Sequence, residues 1–185
     1  MSWFKPVADQ FDAPIFFFFQ KIQNPALDYI LGWPTCLGES LMALTLLTLC
    51  ILLLDKRRKF ETVASAVLAV LTTHWVSEWL KEFFHRPRPN HYWHNVSMPF
   101  GVPRSLSFPS GHTAIIFAAA YVAGYFYPKL RGWAYALAVW VAVTRVYVGV
   151  HYPTDLFGGA VLGVLCGAVA CRAVRLTEAG QKARS

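Results

Sequence analysis

The sequence holds four cysteines, Cys36, Cys50, Cys166 and Cys171, and no CxxC pair among them. All four fall inside apolar runs, where cysteine behaves as a small hydrophobe, and no disulfide framework or zinc-finger spacing is present. Charge is scarce as well: Asp, Glu, Lys and Arg make up 15% of the 185 residues, against 56% hydrophobic. That balance excludes an ordinary soluble fold. The apolar runs lack the strict alternation of barrel strands, which leaves helices as the way to satisfy the backbone in lipid. A basic-then-apolar leader is missing too. Asp9, Asp12 and Pro14 break the first apolar stretch, so a cleaved signal peptide is not expected.

What is present is clustered hydrophobicity. A bilayer-spanning helix needs about 20 mostly apolar residues. Five stretches meet that need, roughly Trp33 to Leu54, Thr62 to Leu80, Ser110 to Tyr127, Gly132 to Val150 and Pro153 to Val174. "PIFFFFQKI" near the N-terminus is too short to span. With Trp3, Phe4 and Phe11 around it, and Lys5, Asp9, Asp12 and Lys21 interleaved, it reads as a helix lying in the headgroup region. The expected fold is therefore all-α: a polytopic membrane bundle of five transmembrane helices plus an N-terminal interfacial amphipathic helix. Residues 1–30 form the interfacial segment, 31–176 the membrane domain and 177–185 a cytoplasmic tail.

A net charge of +7 raises the question of nucleic acid, but its distribution argues for membrane topology instead. Most of the 17 Lys and Arg follow the first, third and fifth stretches, as Lys56, Arg57, Arg58 and Lys59, Lys129 and Arg131, then Arg172, Arg175, Lys182 and Arg184. Positive charge marks the cytoplasmic side. The loops after the second and fourth stretches then face outward. No nucleic-acid partner is expected.

The remaining polar residues collect on that outward side. The second stretch ends in "KEFFHRPRPN", where Lys81 and Arg88 stand two helical turns apart and Pro87 and Pro89 stop the helix. The third begins at Pro109, Ser110, Gly111 and His112, and the fourth runs into the fifth through "TRVYVGVHYPTD". Charge in a bilayer costs about 2.5–3.5 kcal/mol per group even on lenient scales, so Lys81, Arg88, Arg145 and Asp155 together point to a site. Arg86 and Arg104 divide evenly between that site and plain snorkelling to lipid phosphates. Three cations suit phosphoryl oxygens. The Ser110 hydroxyl and the Gly111 amide at a helix start add donors. His112 and His151 are imidazoles, whose unperturbed pKa of about 6.5 suits nucleophile and acid work. Asp155, four residues after His151, is placed to fix its tautomer or to serve as a simple helix-start acid. Metal ligation by the histidines and Asp155 is opposed by the nearby cations, so no metal and no cofactor are expected.

Lys81 and Arg88-Pro89, then Pro109-Ser110-Gly111-His112, then Arg145, His151 and Asp155 resemble the three signature motifs of the type 2 phosphatidic acid phosphatase (PAP2) superfamily, in order and spacing. The likeness runs from Lys81 to Asp155 by motif. It implies a membrane lipid phosphatase in which Lys81, Arg88, Arg145, Ser110 and Gly111 bind phosphate. It also implies that His151 attacks phosphorus to form a phosphohistidine, Asp155 orients it, and His112 protonates the leaving oxygen. Thr144 stands where the family's third motif has serine.

The expected partners are a lipid phosphate substrate and the bilayer. Undecaprenyl diphosphate or phosphatidylglycerol phosphate leads, with a lipid A phosphatase or a phosphotransferase as alternatives, in the inner membrane with the site facing out. A transporter is disfavoured because the third to fifth stretches carry almost no polar residues. Three further expectations concern support. Glu39 or Glu78 neutralises Lys81 or His74. Arg104 is offered to a second phosphate, and Met98 and Phe100 to a lipid chain. Gly159, Gly163 and Gly167 form a packing stripe, within a monomer or at a homodimer face.

Overall fold

The computed structural model describes residues 4–32 and 59–182. Among these residues every element is helical. The chain opens with α1 (Phe4–Val7), a π-helical turn (Ala8–Asp12) and α2 (Ala13–Ile22), which follow one another without a break. Next come α3 (Pro25–Gly32), α4 (Lys59–Phe84), α5 (Pro89–Tyr92) and α6 (Gly111–Phe126). A short 3-10 turn (Pro128–Leu130) leads into α7 (Arg131–Tyr147) and α8 (Pro153–Lys182). The stretch expected to span at 33–54, with Glu39 in it, lies outside the described residues.

The bundle is built around α6. This helix is mostly apolar, and Ala114, Ala118, Ala119, Ala120 and Val122 are buried. One face meets α4 and α8 through Ala66, Ala69, Ala118, Val122 and Ala170. Another meets α7, where Ile116 and Ala120 pack on Ala138 and Val141. The contact with α8 is the closest in the bundle. A Cβ added at Gly159 would lie 2.6 Å from the Ser110 carbonyl oxygen, and one at Gly163 would overlap the Ala114 carbonyl and sit 2.9 Å from Ala118 N. The glycine stripe thus packs α8 onto α6 within the chain, as small residues do where helix backbones touch.

The outer surface is apolar. Trp75, Trp79 and Phe83 on α4 and Phe157, Val161, Leu165 and Val169 on α8 are exposed, Trp75 by 73% and Phe157 by 74%. Continuous stripes of this kind are foreign to a surface facing water and fit one facing hydrocarbon. Two segments, Phe60–Tyr92 and Pro153–Thr177, are long and apolar enough to cross a membrane. Helices α6 and α7 are shorter than expected, with 16 and 17 residues. At 1.5 Å per residue they fall short of a hydrocarbon core about 30 Å thick. Helix α7 stops before Val150, at the end that carries the polar residues, whereas α6 keeps nearly its expected limits at both ends.

Helix ends there are sharply defined. Helix α4 stops before its prolines, because His85 takes a left-handed conformation (φ 49°) and its N–H bonds the Lys81 carbonyl at 2.9 Å. Between α7 and α8, Gly149 has φ 80°, and a Cβ there would meet the Ser97 carbonyl. The N-terminal helices lie over the same end. Phe16 packs between Trp93 and Tyr152, the Gln20 side chain pairs with the Ser97 backbone, and the Tyr147 hydroxyl donates to Asp28 at 2.7 Å.

Replacing Gly163 by Ala forces α6 and α8 apart. It is expected to cost about 1–3 kcal/mol, read as a lower unfolding temperature in detergent. Gly132→Ala, where a Cβ meets nothing within 4 Å, is expected to leave that temperature unchanged or slightly raised. Equal effects at the two positions would contradict the packing.

Candidate active site

The ends of α4, α6, α7 and α8 enclose a cavity of about 500 Å³. Lys81 enters from α4, Gly111 and His112 from the first turn of α6, and Arg145 from the last turn of α7. Arg88 and Ser105 come from the connection between α4 and α6, and Val148, Val150 and His151 from the turn before α8. Phe100, Gly101, Pro103 and Gly32 form the rest of the wall. Among the described residues, three cations line this space and no carboxylate does.

His151 is 2% exposed and held from both ring nitrogens. Its Nδ1 lies 3.2 Å from Asp155 Oδ2, and its Nε2 lies 3.2 Å from Arg88 Nη1. A guanidinium has donors only, so Nε2 must accept, and the ring proton resides on Nδ1, donated to Asp155. Burial, followed by the charges of Arg88, Arg145 and Lys81, lowers the His151 pKa well below the ordinary value of 6.5. The result is a neutral imidazole whose Nε2 lone pair faces the cationic cavity.

The cations are held in place. Arg88 donates from Nη1 to the Val150 carbonyl at 2.6 Å, from Nε to the Ser105 carbonyl at 2.8 Å and from Nη2 to the Ser105 hydroxyl at 2.9 Å. Lys81 Nζ bonds Glu78 Oε1 at 2.6 Å. Glu78 therefore takes the neutralising role expected of it or of Glu39, while His74 is exposed beside Trp75. A Cβ at Gly111 would stand 3.6 Å from Lys81 Nζ, so glycine keeps the helix start open beside the ammonium group.

Other expected residues sit differently. Ser110 does not line the cavity. It caps α6, its hydroxyl accepting from Thr113 N at 3.4 Å and from Thr113 Oγ1 at 3.0 Å, and its backbone N–H bonds the Asp155 carbonyl. The Thr144 hydroxyl bonds Val141 within its own helix. Arg104 is exposed and Met98 packs against Tyr147, Val148 and Val150, so neither lines the cavity, whereas Phe100 does.

The main correction concerns Arg86. Its reach to lipid phosphates or to the site is replaced by complete burial, at 1% exposure, between two aspartates. Nη2 meets Asp12 Oδ2 and Nη1 meets Asp155 Oδ1, each at 2.6 Å. Its guanidinium carbon stacks 3.9 Å above the Tyr152 ring. Ser107, also unforeseen, donates its hydroxyl to Asp155 Oδ2. The RPRP string hinted at a second structural arginine, but its partner Asp12 stands 74 residues away. Among the described residues, no three His, Cys, Asp or Glu side chains are grouped to hold a metal.

A helical bundle with an outward apolar surface, closing on a cationic cavity that holds a neutral, acid-oriented histidine, defines a class of anion-handling membrane sites. Residues 62–178 match the PAP2 superfamily, and the chain belongs to it. It is 37% identical over 109 residues to a lipid A 1-phosphatase of Rhizobium johnstonii, covering 56% of this chain and 41% of that one. The chain thus spans about two-fifths of that relative's length. It is 31% identical over 155 residues to phosphatidylglycerophosphatase B of Bacillus subtilis, covering 78% and 73%. The crystal structure of Aquifex aeolicus LpxE superimposes with a TM-score of 0.77 at 28% identity, covering 87% of this chain and 94% of that one.

In a histidine-selective 15N NMR titration, His151 is expected to remain a neutral Nδ1–H imidazole at pH 6, where an unperturbed histidine is largely protonated. The sign follows from the lowered pKa: protonation begins only at more acid pH. A charged His151 ring at pH 7 would contradict the geometry.

Proposed function

We propose that the protein is an integral membrane lipid phosphatase that removes a phosphomonoester or terminal phosphate from a lipid through a phosphohistidine. The observation that carries this reading is the cavity wall, which among the described residues holds three cations, two histidines and no acid. Such a wall favours a dianionic phosphoryl group over a cation or a neutral head. Lys81, Arg88 and Arg145, with the Gly111 amide, hold its oxygens. Ser110 supports the site by setting the first turn of α6.

His151 Nε2 attacks phosphorus as the bond to the lipid oxygen breaks. The ring becomes a phosphorylated imidazolium, and Asp155 stabilises its positive charge through Nδ1–H. His112 gives its proton to the departing lipid oxygen, then takes one from water as that water attacks the phosphohistidine. Inorganic phosphate leaves and His151 returns to its neutral form. No step calls for a metal ion or cofactor.

In this reading the chain crosses the inner membrane of a bacterial cell five times and the cavity opens on the extracytoplasmic side. Residues 1–30 lie at the interface, 31–176 form the catalytic domain and 177–185 a cytoplasmic tail. Undecaprenyl diphosphate and phosphatidylglycerol phosphate are the leading substrates. A lipid A phosphatase is the second reading, favoured by the 37% identity to the Rhizobium relative. Transfer of the phosphoryl group to another lipid shares the first half of the chemistry.

Purified protein is expected to release phosphate from at least one of these lipids in EDTA, and His151→Ala to lower the rate by at least about a thousandfold. Label from a 32P-lipid should stay on the protein in alkali and be lost in acid. Full activity in His151→Ala, or loss of activity on chelation, would overturn the mechanism.

A further inference from the structure

Asp12 and Arg86 are buried and lie outside the wall of the cationic cavity. They nonetheless join the N-terminal helices to the acid behind His151. Arg86 Nη1 donates to Asp155 Oδ1 and, at 2.7 Å, to the Thr154 hydroxyl. Asp12 accepts from Arg86 through Oδ2, from Thr154 N through Oδ1 and from the Thr154 hydroxyl through Oδ2, the latter two at 2.8 Å. A second strand of the network runs from the Arg86 carbonyl, which accepts from Ser107 N at 2.8 Å, to the Ser107 hydroxyl and on to Asp155. Apolar side chains of equal volume would fill this space without the desolvation cost of buried charge. Packing alone therefore does not call for an acid, a base and an acid in line.

We propose that Asp12 and Arg86 are positioning residues of the phosphatase site, making the N-terminal helical segment part of its catalytic apparatus. This rests on the reading of His151 as nucleophile. One guanidinium shared by two carboxylates leaves the trio with a net charge of −1. That surplus faces the His151 ring through Asp155 and offsets the positive charge the ring acquires on phosphorylation. Without Asp12, Arg86 and Asp155 cancel and the imidazolium loses its counter-charge. Without Arg86, both carboxylates stand uncompensated and Asp155 loses one of the bonds that aim it.

Among the described residues, the other charged or titratable groups facing His151 are Lys81 from α4, Arg88 from the segment after it, His112 from α6 and Arg145 from α7. All remain in place when the trio is altered. The two ends of the trio therefore shift the ring in opposite directions. Asp12→Asn moves the His151 titration to lower pH, and Arg86→Met moves it to higher pH.

The test combines histidine 15N NMR with steady-state kinetics on the full chain in detergent, using phosphatidylglycerol phosphate and undecaprenyl diphosphate, with thermal melts to establish folding. In both variants kcat is expected to fall about ten- to a hundredfold while KM stays within about twofold. Arg86→Lys should restore part of kcat and return the titration toward that of the parent. Folded variants whose His151 titrations coincide with the parent's, or shift in the same direction, would overturn the proposal. So would an unchanged kcat. If Arg86→Met does not fold, Asp12→Asn and Arg86→Lys decide the matter. A parent protein that releases phosphate from neither lipid refutes the phosphatase reading instead, and the titrations still show whether the trio governs the ring.

Discussion

Asp155 has no access to water and must find its hydrogen bonds inside the protein. It accepts from Arg86, from the Ser107 hydroxyl, from Tyr152 N and from the His151 ring. Those donors come from the α4–α6 connection and the turn before α8, and its own backbone carbonyl anchors Ser110 at the start of α6. A single buried carboxylate thus ties three chain segments to one point. Leaving any of these bonds unmade costs about 1–3 kcal/mol for the stranded polar group, so the tie also specifies the arrangement. The direction of the His151 ring follows from it, since one nitrogen is committed to Asp155 and the other is left facing the cavity.

The second constraint is electrostatic. Like unit charges 6 Å apart repel by about 3 kcal/mol at an effective dielectric of 20. Lys81, Arg88 and Arg145 around one cavity are therefore under mutual repulsion that an anion relieves. Among the described residues, no acid stands on the cavity wall. Arg88 spends its donors on backbone and hydroxyl oxygens, and Lys81 leans on Glu78. The site is prepared for a negative ligand before one arrives, which is how fixed dipoles and charges lower the cost of a charged transition state. In the reading proposed above, this end of the bundle lies where a lipid presents its phosphate. Exposed tryptophans and phenylalanines cover the outside of α4 and α8, and α7 stops short at the polar end.

Much of this was legible in the chain. The apolar runs after residue 59 became helices near their expected limits, and Lys81, Arg88, Gly111, His112, Arg145 and His151 share one cavity. Those residues sit beside helix ends, where alternation of direction alone decides which end of the bundle they reach. The glycine stripe was readable because a four-residue period maps directly onto one helix face. Ser110 was read as a phosphate-binding residue, but a serine just before an apolar run also satisfies the ordinary capping rule, and in the structure it caps α6. Arg86 and Asp12 were hidden for a different reason. Their pairing depends on how the N-terminal helices fold back over the bundle. No local spacing encodes a contact across 74 residues, and an arginine near an interface looks the same in sequence whether it snorkels or is buried. The end of α7 was placed too far along because hydropathy continues past the point where the backbone turns to build the site.

The central claim is that the cationic cavity orients a phosphoryl group for attack by His151 Nε2. A crystal structure of the protein with orthovanadate, which takes the five-coordinate geometry of phosphorus in transfer, tests it most directly. The account predicts vanadium bonded to His151 Nε2, with its oxygens on Lys81, Arg88 and Arg145 and His112 opposite the bonded nitrogen. Vanadate bound elsewhere, or held in the cavity with His151 turned away from it, would contradict the account.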